Sequence, residues 1–189
     1  QCFRQDPRFR GISRPGCADY RRSGFDRGHL VPSADMTGSE AAMVNTYVFT
    51  NIHPQYPGFN RTIWAALEKS VRTQVRRSGW AHITSGAIYD RDGDGHPDAA
   101  NAAIRVGPPA GDKRLALATH FFKIVVTRTE TGKPAIEAWL LEHSSEFVAE
   151  RDFRERLEAA RVPLERIEAL SGFDFLPLLN APPEQAAIH

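Results

Sequence analysis

Trp64, Leu67, Val71 and Val75 recur at spacings of three and four, with Arg72, Arg76 and Arg77 on the other faces. That period marks one amphipathic helix with a buried stripe, opened after Asn60 and stopped by Ser78-Gly79. Val44 to Thr50 alternates and contains Tyr, Val, Phe and Thr, so it reads as a strand delivering Asn51 at its end. Further strands are expected over 81–89, 116–127 and 135–141. The last helical stretch runs from about Glu146 to Leu170 and is interrupted at Pro163, which has no N–H to continue the ladder. Strands lie on both sides of the long helix without regular βαβ alternation, which predicts an α+β fold with a largely antiparallel sheet.

A chain of 189 residues, 41% apolar and 25% charged, suits one domain with a sizeable core, expected to span 1–189. Its longest apolar stretches, Leu115 to Ala118 and Ile124 to Val126, are too short to cross a bilayer, so no membrane partner is expected. The net charge of +1 cannot by itself draw the protein onto a polyanion. Local clustering can: Arg4, Arg8, Arg10, Arg14, Arg21, Arg22 and Arg27 crowd the first thirty residues. Cys2 and Cys17 are close enough in sequence to close a loop, and a disulfide is expected, worth about 3 kcal/mol on the chain-entropy model. Two free thiols in a cytosolic protein are the alternative. The start at Gln1, without a charged and then apolar leader, reads as a processed or trimmed product, and the expectation is a secreted or periplasmic protein.

Asp26-Arg27-Gly28-His29 carries the chemistry. Histidine takes a proton near neutral pH, arginine offers a forked donor to phosphate oxygens, and glycine lets the backbone approach a bulky charged substrate. Alone, the tetrapeptide also fits a turn with solvated charges.

Downstream stand Asn51-Ile52-His53-Pro54-Gln55 and Phe59-Asn60-Arg61-Thr62-Ile63-Trp64-Ala65-Ala66-Leu67-Glu68, then Ile83 to Tyr89, Thr119 to Val126 and Pro163 to Phe175. In order and spacing this series resembles the DNA/RNA non-specific endonucleases of the ββα-metal class, over most of the chain. The resemblance implies a central sheet flanked by helices and an active-site ββα-metal finger. It also implies cleavage of DNA and RNA to 5′-phosphate and 3′-hydroxyl ends with Mg²⁺, or Mn²⁺ in its place. By the same resemblance His29 is the general base, Arg27 and Arg72 contact phosphate, and Asn60 is the direct ligand of a single ion. A neutral amide oxygen holds a hard cation weakly, which leaves room for waters and phosphate. Asn60 equally suits a helix N-cap. Glu68 lies eight positions on, about 12 Å along an ideal helix, so it reaches the ion through water, or else pairs with Arg72. Asn51 fits a motif position and is expected to fix nearby backbone. The further upstream arginine of the family has no confident counterpart, Arg21 and Arg22 being substitutes.

Asp90-Arg91-Asp92-Gly93-Asp94-Gly95-His96-Pro97-Asp98 departs from the family pattern. Oxygens at positions one, three, five and nine resemble a calcium loop, in an insertion at about 90–101 that takes in Asp90, Asp92, Asp94, His96 and Asp98. Asn101 stands where a bidentate Glu belongs, and an acidic solvated turn is the other reading. Two alternatives to a free-standing nuclease are an inactive, calcium-stabilised extracellular binding module and a delivered antibacterial toxin with an immunity or inhibitor protein.

Overall fold

Helix and strand follow one another here without parallel crossovers. The computed structural model describes residues 3–9, 14–112, 114–129 and 131–175. Its elements are α1 (Cys17–Tyr20), β1 (Asp26–His29), α2 (Glu40–Asn45), β2 (Ile52–Gln55), α3 (Pro57–Phe59) and α4 (Ala65–Ser78), then β3 (His82–Ile88), β4 (Ile104–Val106), β5 (Leu115–Leu117), β6 (His120–Arg128), β7 (Pro134–Glu142), α5 (Phe153–Ala159) and α6 (Leu164–Ser171). All strand pairing between them is antiparallel: β3-β6-β7 form the main sheet, with β1-β2 and β4-β5 as separate pairs.

The middle strand explains the layering. Alternate residues of β6 point to opposite faces. Phe121 and Val125 join Leu67 and Val71 of α4, whereas Phe122 and Ile124 join Leu164, Ile167 and Leu170 of α6. A strand covered on both faces reads as a continuous apolar run, and each fully buried large side chain contributes roughly 1.5–3 kcal/mol. Gly79 ends α4 with φ 71°, a conformation that a side-chain-bearing residue adopts only with strain.

Three expectations are corrected. Val44 and Asn45 end α2, and Val48 makes only an isolated bridge with Arg4 before a 3₁₀ turn at Phe49–Asn51. The Ser39 hydroxyl accepts from Ala42 N–H, and this cap with Glu40, Ala41 and Ala42 behind it outweighs the β-formers that follow. The strand is Ile52–Gln55 instead. Asn60 is not an N-cap: the helix starts at Pro57, whose ring suits the first helical position, and Asn60 is already helical at φ −60°, ψ −44°. The last helical stretch begins later than Glu146, with a 3₁₀ turn at Glu150–Asp152 leading into α5.

Two histidines sit neutral in the core. His143 donates from Nδ1 to the Ala118 carbonyl and accepts the Tyr56 N–H at Nε2, both at 2.9 Å. Burial pushes His143 and His53 down to about 4. Their folded values lie below the unfolded one, so the stability they carry is present above about pH 6.5 and is lost as pH falls toward about 4. Burial of Glu68 acts in the opposite sense, so the histidine share is read as a difference. Between about pH 7 and pH 4.5, the fall in urea-unfolding free energy should shrink by about 2–3 kcal/mol in His143→Gln. An unchanged fall would mean that His143 is not held neutral.

Candidate active site

β1 and β2 pair with Gly28 opposite His53 and His29 opposite Ile52. A side chain at Gly28 would fall about 2.0 Å from Gln55 Oε1, so only glycine lets the Gln55 amide pack under the strand. Both ends of β1 are tied to one helical turn. Asp26 Oδ2 accepts from Asn60 Nδ2 at 3.0 Å, and the His29 carbonyl accepts from Trp64 Nε1 at 3.1 Å. That turn, Asn60–Trp64, is π-helical. Its wider winding sets Asn60 and Trp64 against the two ends of a four-residue strand, a span of roughly 10 Å.

The imidazole of His29 is half-buried between Phe3 and Tyr47, with ring centroids at 5.5 and 5.2 Å. Its Nε2 is buried without a hydrogen-bond partner. Burial lowers its pKa from the ordinary 6.5, which favours the neutral, proton-accepting form. Asp26 holds Arg61 through two bonds, to Nε at 2.8 Å and to Nη2 at 2.7 Å, as well as the Asn60 amide nitrogen. With that nitrogen taken, the Asn60 amide oxygen is the group left for a cation.

Glu68, Asp35, Arg72 and Lys123 lie together beside this turn. Burial pushes the Glu68 carboxyl up to about 7 and Asp35 adds to the rise, while Lys123 and Arg72 oppose it. Arg72 does not pair with Glu68 in the helical i,i+4 manner but reaches Asp35 at 2.5 Å. Lys123 is 2% exposed, its Nζ 2.5 Å from Ser85 Oγ and 4.8 Å from the Trp64 ring centre.

Arg27 is exposed, its guanidinium 4.8 Å above the Phe3 ring, and it takes no carboxylate partner among the described residues. With Arg21, Tyr20 and Phe25 it lines a cavity of about 310 Å³ that also touches Asp26. Arg22 adopts a left-handed backbone at φ 57°. A larger cavity, about 600 Å³ between α4 and α5, includes none of His29, Asn60 or Glu68 and is set aside for the chemistry. Asn51 staples the segment after β1, with Oδ1 accepting from Val31 N–H at 3.0 Å and Nδ2 donating to the Val31 and Thr46 carbonyls at 2.9 Å each. The acidic loop gathers Asp90, Asp92 and Asp94 but not His96 or Asp98. The expected Cys2–Cys17 disulfide involves Cys2, which lies outside the described residues, as does Arg10.

The motif marks Asp26 as a structural residue, and the structure gives that role its partners, Asn60 and Arg61. Asp35 and Lys123 have no role in the sequence pattern, although Lys123 leaves a signal as a lone charge within Phe121-Phe122-Lys123-Ile124-Val125. Asp26 can be tested directly: Asp26→Ala frees the Asn60 amide to rotate, and the rate of any phosphodiester cleavage should fall by about 10²-fold. Asp26→Asn, which keeps one acceptor, should lose less. Equal losses in both would put the effect down to charge alone.

The oxygen donors present suit a hard divalent cation, an amide oxygen with its nitrogen engaged and a carboxylate eight residues along the helix, while the unpartnered His29 Nε2 is left to accept a proton. The model of the DNA/RNA non-specific endonuclease family matches residues 1–181. The chain is similar to mitochondrial endonuclease G of Homo sapiens, 32% identical over 181 residues covering 95% of this chain and 57% of the relative. It is 33% identical to the mitochondrial nuclease of Saccharomyces cerevisiae over 175 residues, 89% of this chain and 50% of the relative. It thus spans about half the length of these curated relatives. A chain in the crystal structure of the EndoG/EndoGI complex, solved for the mechanism of EndoG inhibition, aligns with TM-score 0.75 and 25% identity over 97% of this chain and 71% of that one. The secreted or periplasmic location expected from two cysteines and a Gln1 start is corrected by these relatives, both of which are named mitochondrial. A match that runs through the histidine strand, the π turn and both core layers leaves one assignment: the chain belongs to the DNA/RNA non-specific endonuclease family, a family of metal-dependent nucleases.

Proposed function

We propose that this chain is a single-domain, Mg²⁺-dependent endonuclease that hydrolyses DNA and RNA without base specificity. The observation that carries it is the buried, unpartnered Nε2 of His29 on a strand whose other end fixes the Asn60 amide. His29 Nε2 takes a proton from water as that water attacks phosphorus. The P–O3′ bond breaks, and the leaving 3′ oxygen acquires a proton, giving 5′-phosphate and 3′-hydroxyl ends. Mg²⁺, when bound, would supply positive charge that stabilises the transition state. Asn60 would hold it directly and Glu68 through water. Arg27, which has no carboxylate partner among the described residues and lies above a ring, would take a phosphate oxygen, with Arg21 on the same cavity wall as the substitute for the missing upstream arginine. Arg72 has the weaker claim, since Asp35 already holds it.

Nothing in the site presents a base-reading element, so binding rests on phosphate and should be tolerant of sequence and weakened by salt. The likeness to a chain from an inhibited nuclease complex supports an inhibitor protein as a further partner. The test is incubation of purified protein with circular plasmid and with RNA, in Mg²⁺ and in EDTA. Cleavage of both polymers in Mg²⁺ and of neither in EDTA is expected. Cleavage of only one polymer would overturn the sugar-non-specific reading, and cleavage in EDTA the metal requirement.

A further inference from the structure

Away from the histidine strand, the loop after β3 brings one carboxylate oxygen each from Asp90, Asp92 and Asp94 to within 4.8 Å of one another. Among the described residues none of the three forms an ion pair. Close acidic groups on a surface are ordinary, and the loop's turns do not by themselves make a site. Asp90 is different. It is only 7% exposed, and its Oδ1 is buried without any hydrogen-bond partner. A buried carboxylate with an unpartnered oxygen and two further carboxylates as neighbours is costly unless a cation joins them. We infer that Asp90, Asp92 and Asp94 hold a structural Ca²⁺ ion, independent of the catalytic metal.

The chemistry favours calcium over magnesium. Asp90, Asp92 and Asp94 stand at positions one, three and five of the loop, and Gly95 at position six, with φ 88°, makes the sharp turn. The His96 carbonyl stands at position seven, where such loops supply a main-chain oxygen. Flexible, all-protein oxygen ligands suit Ca²⁺, whereas Mg²⁺ demands a tight octahedron and keeps its waters. Gly95 is also pressed from outside, since a side chain there would meet Arg166 Nη1 of α6 at 3.0 Å. Asp98 Oδ2 accepts from Arg91 N–H at 2.8 Å, which closes the loop. With Asn101 in place of the bidentate Glu, the affinity should be modest, with a dissociation constant of about 10⁻⁴ M. The ion would brace the sheet: Asp90 lies two residues past the end of β3, and its N–H donates to Thr119 Oγ1 at 3.1 Å, just before β6.

The experiment uses the whole protein, stripped with EDTA and then kept in excess MgCl₂ while CaCl₂ is titrated. The melting temperature should rise by about 5 °C once calcium exceeds its dissociation constant about a hundredfold. Trypsin cleavage after Arg91, mapped by mass spectrometry, should slow by about tenfold. Both responses should vanish in the Asp92→Asn/Asp94→Asn double variant, whose replaced side chains are exposed and isosteric. A native protein that responds in neither assay overturns the site, and so does a double variant that responds as the native protein does. Should the variant not fold, protection of the Arg91 bond in the native protein decides the matter alone.

Discussion

Replacing His29 with alanine should lower cleavage of plasmid and RNA by about 10³-fold, inside the range of 10² to 10⁴ that a positioned base contributes. The expectation rests on where the ring sits rather than on its being a histidine. Phe3 and Tyr47 flank it, burial disfavours its charged form, and its Nε2 has no protein partner to give up before accepting a proton. Asp26, Arg61 and Asn60 are tied to one another without the imidazole, so the alanine protein should keep the native circular dichroism and the metal-binding residues in place. Added imidazole should restore part of the activity, which a collapsed site would not allow. The pH profile gives the sign. His29 has its folded pKa below 6.5, so the part of the acid fall in activity that its protonation causes should lie below about pH 6.5, and Glu68→Gln should keep that limb. Initial rates on plasmid across pH decide it. A His29→Ala protein within about tenfold of the native rate would remove this residue from the base role.

The parts of the fold visible in the sequence are those where local pattern and tertiary demand agree. The stripe Trp64, Leu67, Val71 gave the central helix, and Gly79 ended it in a left-handed turn that glycine alone takes without strain. The break expected at Pro163 is real, but α5 ends earlier, at Ala159, because Ala160 to Val162 pair with β7 before Pro163 caps α6. Val44 to Thr50 misled because β-propensity describes fit to a pleated surface, and among the described residues no strand runs beside it; Arg4 offers a single bridge. The start of the helix at Pro57 was legible but was masked by Asn60, which looks like a cap and is used otherwise. In the site, His29 and Asn60 could be named because motif chemistry marks them. Asp26 stands in the same motif as a structural residue, but its partners Asn60 and Arg61, and the Asp35–Arg72 pair, lie more than thirty residues apart in sequence and only folding brings them together.

Lys123 supplies the second large effect. It occupies the α4-facing position between Phe121 and Val125, among side chains that are fully buried, and a methionine of similar length would fill the same space. The loss is therefore electrostatic. Burial is the largest cause that holds Glu68 up at about 7 and Lys123 down at about 8, and each charge already offsets part of the other's shift. With Lys123 gone, Glu68 keeps Asp35 as a like neighbour and only Arg72 as an opposite one, already engaged at 2.5 Å. Glu68 and Lys123 act on each other through space and make no direct ion pair among the described residues, so Lys123→Met should cost less than the loss of a salt-bridge partner, about 1–3 kcal/mol by urea unfolding at about pH 8. Lowering the pH through the raised Glu68 value should recover part of the loss, because protonation discharges the stranded carboxylate. Adding Glu68→Gln should recover it at any pH, and that separates a charge effect from a packing one. If the double variant is as unstable as Lys123→Met alone, the lysine is holding Leu30 and Ser85 rather than balancing Glu68. In that case Lys123 would shape the backbone just after His29 through the Leu30 carbonyl, and its variants should alter cleavage without altering the pH dependence of stability.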